Sequence, residues 1–458
     1  MRALLLRGRR LRALALGLSL FAACSGSKHG TPFAPGGKQD AGKQDDIDAN
    51  VSEPIEDSGP KPDTGSPEVG LMGNCAIDSN KIFTVAQRDE PFLQTPLAVD
   101  EINSRFALPY VADGDCLQAV HMASLAGAAT SGDPQNAVAV DECSLVLDAV
   151  TTAIGDQWLV ALVDNRDPPY DVWVEPYDAS HKKMGIAQRA SQSSSVEKEL
   201  ALVTLRNASQ AMLAWSDEDG SAGQSLYARP LDNTGAPRGD ALRIEHSDTL
   251  YYRGLALAAL GADGAGLAYL RYSLDYKTSD IVFVALDNNG KAVRAPWVLA
   301  SNAGPSPSVN LAVDEDNGGI VYSRAEAQTG RQLWFQQIDD TGQAAAVRTG
   351  SARASALRFL NAPFKGVDVS VAKLRTSFVV AYRALPAVNQ DRAQIRLYFL
   401  DRFGAVIGDS DVSYTSLSGG RTAIQSAYDG RVVIGWSEVE EDGKSATKVV
   451  RLPCVGGG

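Results

Sequence analysis

The feature that most constrains this chain is an aspartate that keeps returning. The segments "PYDASH" at 176, "PLDNTG" at 230, "ALDNNG" at 285, "QIDDTG" at 337 and "FLDRFG" at 399 carry Asp178, Asp232, Asp287, Asp339 and Asp401, spaced by 54, 55, 52 and 62 residues. A repeat of that length requires stacked or circular units, because a single unit cannot bury its own apolar face. Between the aspartates run short segments rich in Val, Leu, Ala, Tyr and Trp, punctuated by Gly, Asp and Asn. Their alternation is strand-like, and no long helical period interrupts it.

The segments align as units of four strands, a to d. In the fifth unit these read "SVNLAVD" (308), "GGIVYSR" (318), "QLWFQQID" (332) and "AAAVRTG" (344). The b strands share a column: Tyr110, Leu162, Trp215, Tyr269, Tyr322, Tyr382 and Trp436, with spacings of 52 to 60 residues. The c strands share another, six residues before the aspartate: Val172, Leu226, Ile281, Leu333 and Ile395. Two columns in one register predict an all-β fold over residues 75–458, a seven-bladed β-propeller of four-stranded antiparallel blades. The seventh unit ends without a d strand, and an unassigned strand, "KIFTVA" (81–86), precedes the first unit. The ring is therefore expected to close through this N-terminal strand.

The aspartate segment itself reads as the tight c-to-d turn, in which Asp accepts local backbone bonds and Gly supplies positive φ. A calcium loop needs more oxygen ligands at fixed spacing, and even "DEDG" (217–220) and "DEDNGG" (314–319) fall short of one. The aromatic b column is expected to fill the space between adjacent sheets.

The N-terminus reads as an address. Basic "MRALLLRGRRLR" precedes an apolar run of eleven residues, "ALALGLSLFAA" (13–23), too short to span a ~30 Å hydrocarbon core. It ends in "LFAAC", and Ala22, Ala23 and Cys24 resemble the bacterial lipobox, with Phe21 standing where that pattern usually has leucine. The resemblance implies a lipoprotein-type signal peptide over 1–23 and a diacylglycerol on Cys24. Residues 24–74 are rich in Gly, Pro, Asp and Lys and nearly free of large apolar side chains, so they are expected to form a disordered acidic tether. Without the first 24 residues, which hold five arginines and no acid, 38 basic side chains face 55 acidic ones, a formal charge of about −17. That balance opposes nucleic acid and anionic membrane surfaces, leaving the lipid as the membrane contact.

The other four cysteines allow three pairings. Cys116 opens strand c of the first unit and Cys143 follows its d strand. Cys75 precedes the closing strand and Cys454 ends strand c of the seventh unit. The topology therefore selects Cys75–Cys454 and Cys116–Cys143, in keeping with an oxidising compartment.

No catalytic or metal signature accompanies this architecture. The four histidines, His29, His121, His181 and His246, show no metal-ligand spacing, and neither HExxH nor GxSxG occurs. No cofactor is expected. Function is expected on loops. The c–d turns are short and alike, whereas the opposite connections vary: "DNRDPPYD" (164–171), "HSDTLYYRG" (246–254), "SLDYKTSD" (273–280) and the stretch 351–366. They nominate a recognition rim of Tyr170, Tyr251, Tyr252, Arg253, Tyr276, Arg358 and Phe359, residue types that offer large area with a polar end.

Taken with its lipobox, the chain resembles bacterial surface lipoproteins that carry a propeller domain. The resemblance implies an exported module of the outer membrane or cell surface that binds or scaffolds an envelope protein, peptide or carbohydrate. The alternative is a propeller-type glycan-active enzyme, a glycosidase or lyase, with its acids on the variable-loop face. Two carboxylates about 5–10 Å apart would mark the enzyme.

Overall fold

The computed structural model describes residues 82–88, 98–100, 105–112, 119–125, 135–140, 146–166, 170–191, 196–218, 223–305, 307–313, 317–326, 330–344, 357–361, 367–374, 377–384, 394–414, 422–426, 432–439 and 444–452. All five cysteines, the signal segment and the tether lie outside these residues. The described residues belong to one compact unit, Gly65–Gly458.

Every described element is a strand. After β1 (Ile82–Arg88) come β2 (Ala98–Asp100), β3 (Arg105–Ala112), β4 (Ala119–Leu125) and β5 (Gln135–Val140), which form one antiparallel sheet. The next sheet is β6 (Val146–Ile154), β7 (Gln157–Asp164), β8 (Asp171–Tyr177) and β9 (Gln188–Arg189). It is followed by β10 (Val196–Thr204), β11 (Gln210–Glu218), β12 (Gln224–Asp232) and β13 (Leu242–Ser247). Then come β14 (Leu250–Leu260), β15 (Gly264–Ser273), β16 (Ser279–Leu286) and β17 (Trp297–Ala300). A further sheet contains β18 (Ser308–Val313), β19 (Asn317–Glu326), β20 (Gly330–Asp339) and β21 (Leu357–Asn361). Next are β22 (Val367–Leu374), β23 (Ser377–Ala384), β24 (Gln394–Asp401) and β25 (Val406–Tyr414). The last three strands, β26 (Thr422–Ser426), β27 (Val432–Val439) and β28 (Ser445–Leu452), take β1 as their fourth, with Ile82 opposite Val450 and Arg88 opposite Ser445.

These sheets are arranged as a β-propeller. First strands touch in succession, β2 on β6, then β10, β14, β18, β22 and β26, and β26 returns to β2. The core lies between neighbouring sheets. One cluster joins Trp215 and Leu213 to Val172 and Val174 of the preceding sheet; another joins Trp436 and Ile434 to Ile395 and Leu397. The b column supplies large members: Trp215, Tyr269, Tyr322, Tyr382 and Trp436 are all buried, as is Leu162. Three of them stack on the facing c strand, Trp215 on Tyr227, Tyr322 on Trp334 and Tyr382 on Tyr398. Burial pushes the Tyr322 phenol up to about 12.

The five aspartate turns share one construction. In each, Oδ1 accepts amides two and four residues on, as at Asp287 with Asn289 (2.9 Å) and Lys291 (2.9 Å). The carbonyl accepts the amide three residues on, as from Gly290 (3.0 Å). That third residue is left-handed: Gly235, Gly290, Gly342 and Gly404 have φ between 74° and 89°, and His181 takes the place at 64°. With Oδ1 committed to the backbone, the aspartate serves the turn. The glycine has a second duty, because it reaches the preceding sheet. A Cβ on Gly235 would stand 2.7 Å from Val174 Cγ1, and one on Gly404 would overlap the Phe335 ring. The repeat is thus a spacer that locks each sheet onto its neighbour.

Two sequence expectations are corrected here. The strand paired with β20 on its outer side is Leu357–Asn361, with Arg358 opposite Trp334, while residues 345–350 of the segment expected there lie outside the described residues. Arg358 and Phe359 therefore lie in a strand rather than a variable loop. Tyr251, Tyr252 and Arg253 likewise belong to β14, which runs eleven residues.

Alkaline pH should probe the buried column. Tyr252 and Tyr322 are each pushed up to about 12 by burial, and burial also raises Tyr269 and Tyr382. A folded pKa above the unfolded value of about 10 gives stability that is complete below pH ~10 and lost as pH climbs through ~12. Phenolate absorbance should show a fast-titrating set and a set released only with unfolding. All fourteen tyrosines titrating together in the folded chain would contradict this packing.

Candidate functional site

The first strands carry a column of polar side chains at the end nearest the variable connections. Asp148 lies opposite Val163, Arg253 opposite Leu270, Ser308 opposite Ser323 and Asp368 opposite Arg383. Glu199 occupies the matching place in the β10 bulge, beside Ser216, whose hydroxyl accepts its amide at 3.3 Å.

Column members fasten one sheet to the next. Asp148 Oδ2 accepts the Leu200 amide at 2.9 Å, and Glu199 accepts that of Gly254. Ser308 Oγ accepts the Val369 amide at 3.0 Å, and Asp368 accepts that of Thr422. Each acceptor takes the amide one position past the next column member. Such bonds satisfy amides that point away from their own sheet, which otherwise would be left without partners.

Arg253 breaks the series. A guanidinium has five donors and no acceptor, so it cannot receive the Val309 amide that this pattern would assign to it. Its strand bulges between Arg253 and Ala256, with Gly254 at φ 60°. At this interruption a cleft of about 350 Å³ opens at the channel mouth. Its lining includes Glu199, Arg253, Tyr272 and Tyr276 together with Ser308, Val309, Asp368 and Thr422.

Tyr276 is 45% exposed and has φ 56°, an unusual conformation for a bulky residue. The turn around it is tightly tied. Its amide donates to the Ser273 carbonyl at 2.9 Å, and the Ser273 hydroxyl donates to Asp275 at 2.7 Å. The Ser273 hydroxyl and the Lys277 amide hold the Asp275 carboxyl down at about 2. The Tyr276 ring stacks on Tyr251 at 5.1 Å and 9°, and meets Tyr272 at 5.6 Å and 48°.

The structure brings Tyr251, Arg253 and Tyr276 of the expected rim together. It places Tyr252 elsewhere: 1% exposed, that ring packs edge-on against Tyr269 at 6.1 Å. Adjacent residues of an extended strand face opposite ways, so Tyr251 and Tyr252 cannot share a rim. Tyr170 is half-buried beside the Trp215 cluster, and its carbonyl accepts the Glu197 amide at 3.4 Å. Glu199, Ser308, Asn310, Asp368 and Thr422 were not nominated by the sequence.

Ser225, His246 and Asp248 form a hydrogen-bonded row, with Ser225 Oγ 3.0 Å from His246 Nδ1 and His246 Nε2 3.1 Å from Asp248. None of the three lines the cleft. Ser225 is buried, whereas a nucleophile needs open approach. No group of metal-ligating side chains occurs among the described residues.

Fold and cleft together define a β-propeller protein with a polar, aromatic-walled channel mouth. No known protein family matches the sequence, and no curated protein does. Solved structures do match. A subtype N10 neuraminidase-like protein of A/little yellow-shouldered bat/Guatemala/060/2010 is 9% identical over 82% of this chain and 99% of its own, with a TM-score of 0.40. An α-L-arabinanase of Penicillium chrysogenum is 11% identical over 70% and 98%, TM-score 0.45. The endosialidase of phage phi92 is 8% identical over 81% and 68%, TM-score 0.44. What those proteins act on remains a statement about them.

Proposed function

We propose that this chain is an exported, lipid-tethered protein of the cell envelope whose propeller binds a ligand in the channel-mouth cleft. Seven sheets would form a single ring of seven blades, with β1 completing the last. The observation carrying the reading is the contrast between the two faces. The turn face repeats one backbone-dictated motif, whereas the other opens into a cleft lined by Arg253, Tyr272 and Tyr276.

The second reading, a glycan-active enzyme, draws on Glu199 and Asp368 in the same cleft. A general acid must have a proton to deliver. Here Glu199 accepts the Gly254 amide, and Asp368 accepts both the Thr422 amide and the Ser308 hydroxyl. Both carboxylates already fasten the ring, which favours binding.

Incubating the mature protein with isolated envelope polysaccharide and peptidoglycan should retain it on one of them without creating new reducing ends. New reducing ends that disappear in Glu199→Gln or Asp368→Asn would establish the enzyme instead.

The tether and cross-links are part of the proposal. β4 pairs with β5 as far as Val120 opposite Val140, and Cys116 and Cys143 follow a few residues beyond those ends in the sequence, outside the described residues. β1 pairs with β28 from Ile82 opposite Val450, and Cys75 and Cys454 stand a few residues beyond those positions in the sequence, outside the described residues. Mass spectrometry of the membrane fraction, digested without reduction, should find a diacylated Cys24 and the linked pairs Cys75–Cys454 and Cys116–Cys143. An unmodified Cys24, or Cys116 joined to Cys454, would refute it.

A further inference from the structure

We propose that the cleft is a site for an acidic sugar: Arg253 and the Val309 amide take its carboxylate, and Tyr276 takes a face of its ring. This rests on the binding reading above and adds the chemical class of the ligand.

The starting point is the missing fastener. At four other junctions, β6–β10, β10–β14, β18–β22 and β22–β26, an acceptor side chain meets an amide of the next sheet; between β14 and β18 a donor stands in its place. Donors therefore accumulate on this wall. Among the described residues Arg253 makes no hydrogen bond to the chain, and its one ion pair, to Glu199 at 3.8 Å, is long. Its side chain is only 22% exposed, so water does not fully replace those bonds. The Val309 amide sits in the register at which Leu200 and Val369 turn their amides to the neighbouring sheet, and no side-chain acceptor among the described residues reaches it.

A carboxylate satisfies both at once, since a guanidinium binds its two oxygens in parallel. A neutral sugar would leave the guanidinium with only its long contact to Glu199, and a cationic ligand would be repelled by it. Glu199 and Asp368 also line the cleft, and each already accepts a backbone amide. The Lys198 ammonium is held low by burial first and by the Arg253 charge second, so a second cation already feels Arg253.

Two further features suit a sugar over a simple anion. Tyr276 offers an exposed aromatic ring on the cleft wall, and a pyranose presents an apolar C–H face to such a ring. In the same cleft Thr422 is 5% exposed, and its hydroxyl has no partner among the described residues. A buried unpartnered hydroxyl is rare in a folded chain and fits a ligand hydroxyl.

The test is calorimetric titration of the mature chain with a galacturonate trisaccharide and with its neutral galactose counterpart. The uronate should bind at least about tenfold more tightly, as a bidentate charged pair requires. Arg253→Gln should remove that difference. Arg253→Lys, which keeps the charge but loses the fork, should recover only part of it. Tyr276→Ala should weaken both sugars. A thermal melt of each variant reports folding separately. Equal affinity for the two sugars, no binding of the uronate, or full uronate binding by folded Arg253→Gln would overturn the assignment. Retention on envelope polymer in the earlier assay would then still stand, so the two claims fail separately.

Discussion

Deleting Ile82–Arg88 should cost the protein most of its stability. Among the described strands β1 alone covers the outer edge of β28, pairing with it from Ile82 opposite Val450 to Arg88 opposite Ser445. Without it β28 presents a full row of unpaired amides and carbonyls, an edge that recruits other chains. A domain of this kind has only ~5–15 kcal/mol of net stability, and losing one strand's pairing and burial removes a large part of that. Size-exclusion chromatography and thermal melting should show aggregation and a strongly lowered midpoint. A monomer with an unchanged melt would mean that β1 closes nothing.

The second large effect is expected at a turn. Gly404→Ala combines two costs. The residue has φ 89°, which a Cβ disfavours by about 1–3 kcal/mol, and the new methyl would overlap Phe335 in the preceding sheet, adding overpacking of about 1–3 kcal/mol. Gly155→Ala separates the two. Gly155 also has positive φ, 59°, but a Cβ there meets nothing within 4 Å. Gly404→Ala should therefore lower the denaturation midpoint clearly more than Gly155→Ala. Equal losses would show that the turn does not lock the sheets.

The architecture was legible because it is written in repeated columns. Trp215, Tyr269, Tyr322, Tyr382 and Trp436 fill equivalent places between sheets, and one turn recurs after them. Where the repeat stretches, reading failed. The interval from Asp339 to Asp401 is the longest, and there the alanine-rich 344–350 alternated well enough to pass for the strand that Leu357–Asn361 forms. Strand parity could have separated Tyr252 from Tyr251 had residues 250–253 been read as strand rather than loop.

The cleft was less legible, for a physical reason. Glu199, Arg253 and Asp368 look unremarkable one at a time. Their meaning comes from a column that bulges in β10 and β14 shift out of simple spacing. Only with the strands in register does Arg253 stand out as the donor in a series of acceptors.

Hydrogen exchange of the mature protein, with and without the envelope polymer that retains it, tests the account most directly. Bound polymer should slow exchange in peptides covering 251–256, 273–278 and 307–310, which line the channel-mouth cleft, and leave the aspartate turns at 232–236 and 287–291 unchanged. Slowed exchange confined to the turn face, with the cleft peptides unaffected, would contradict it.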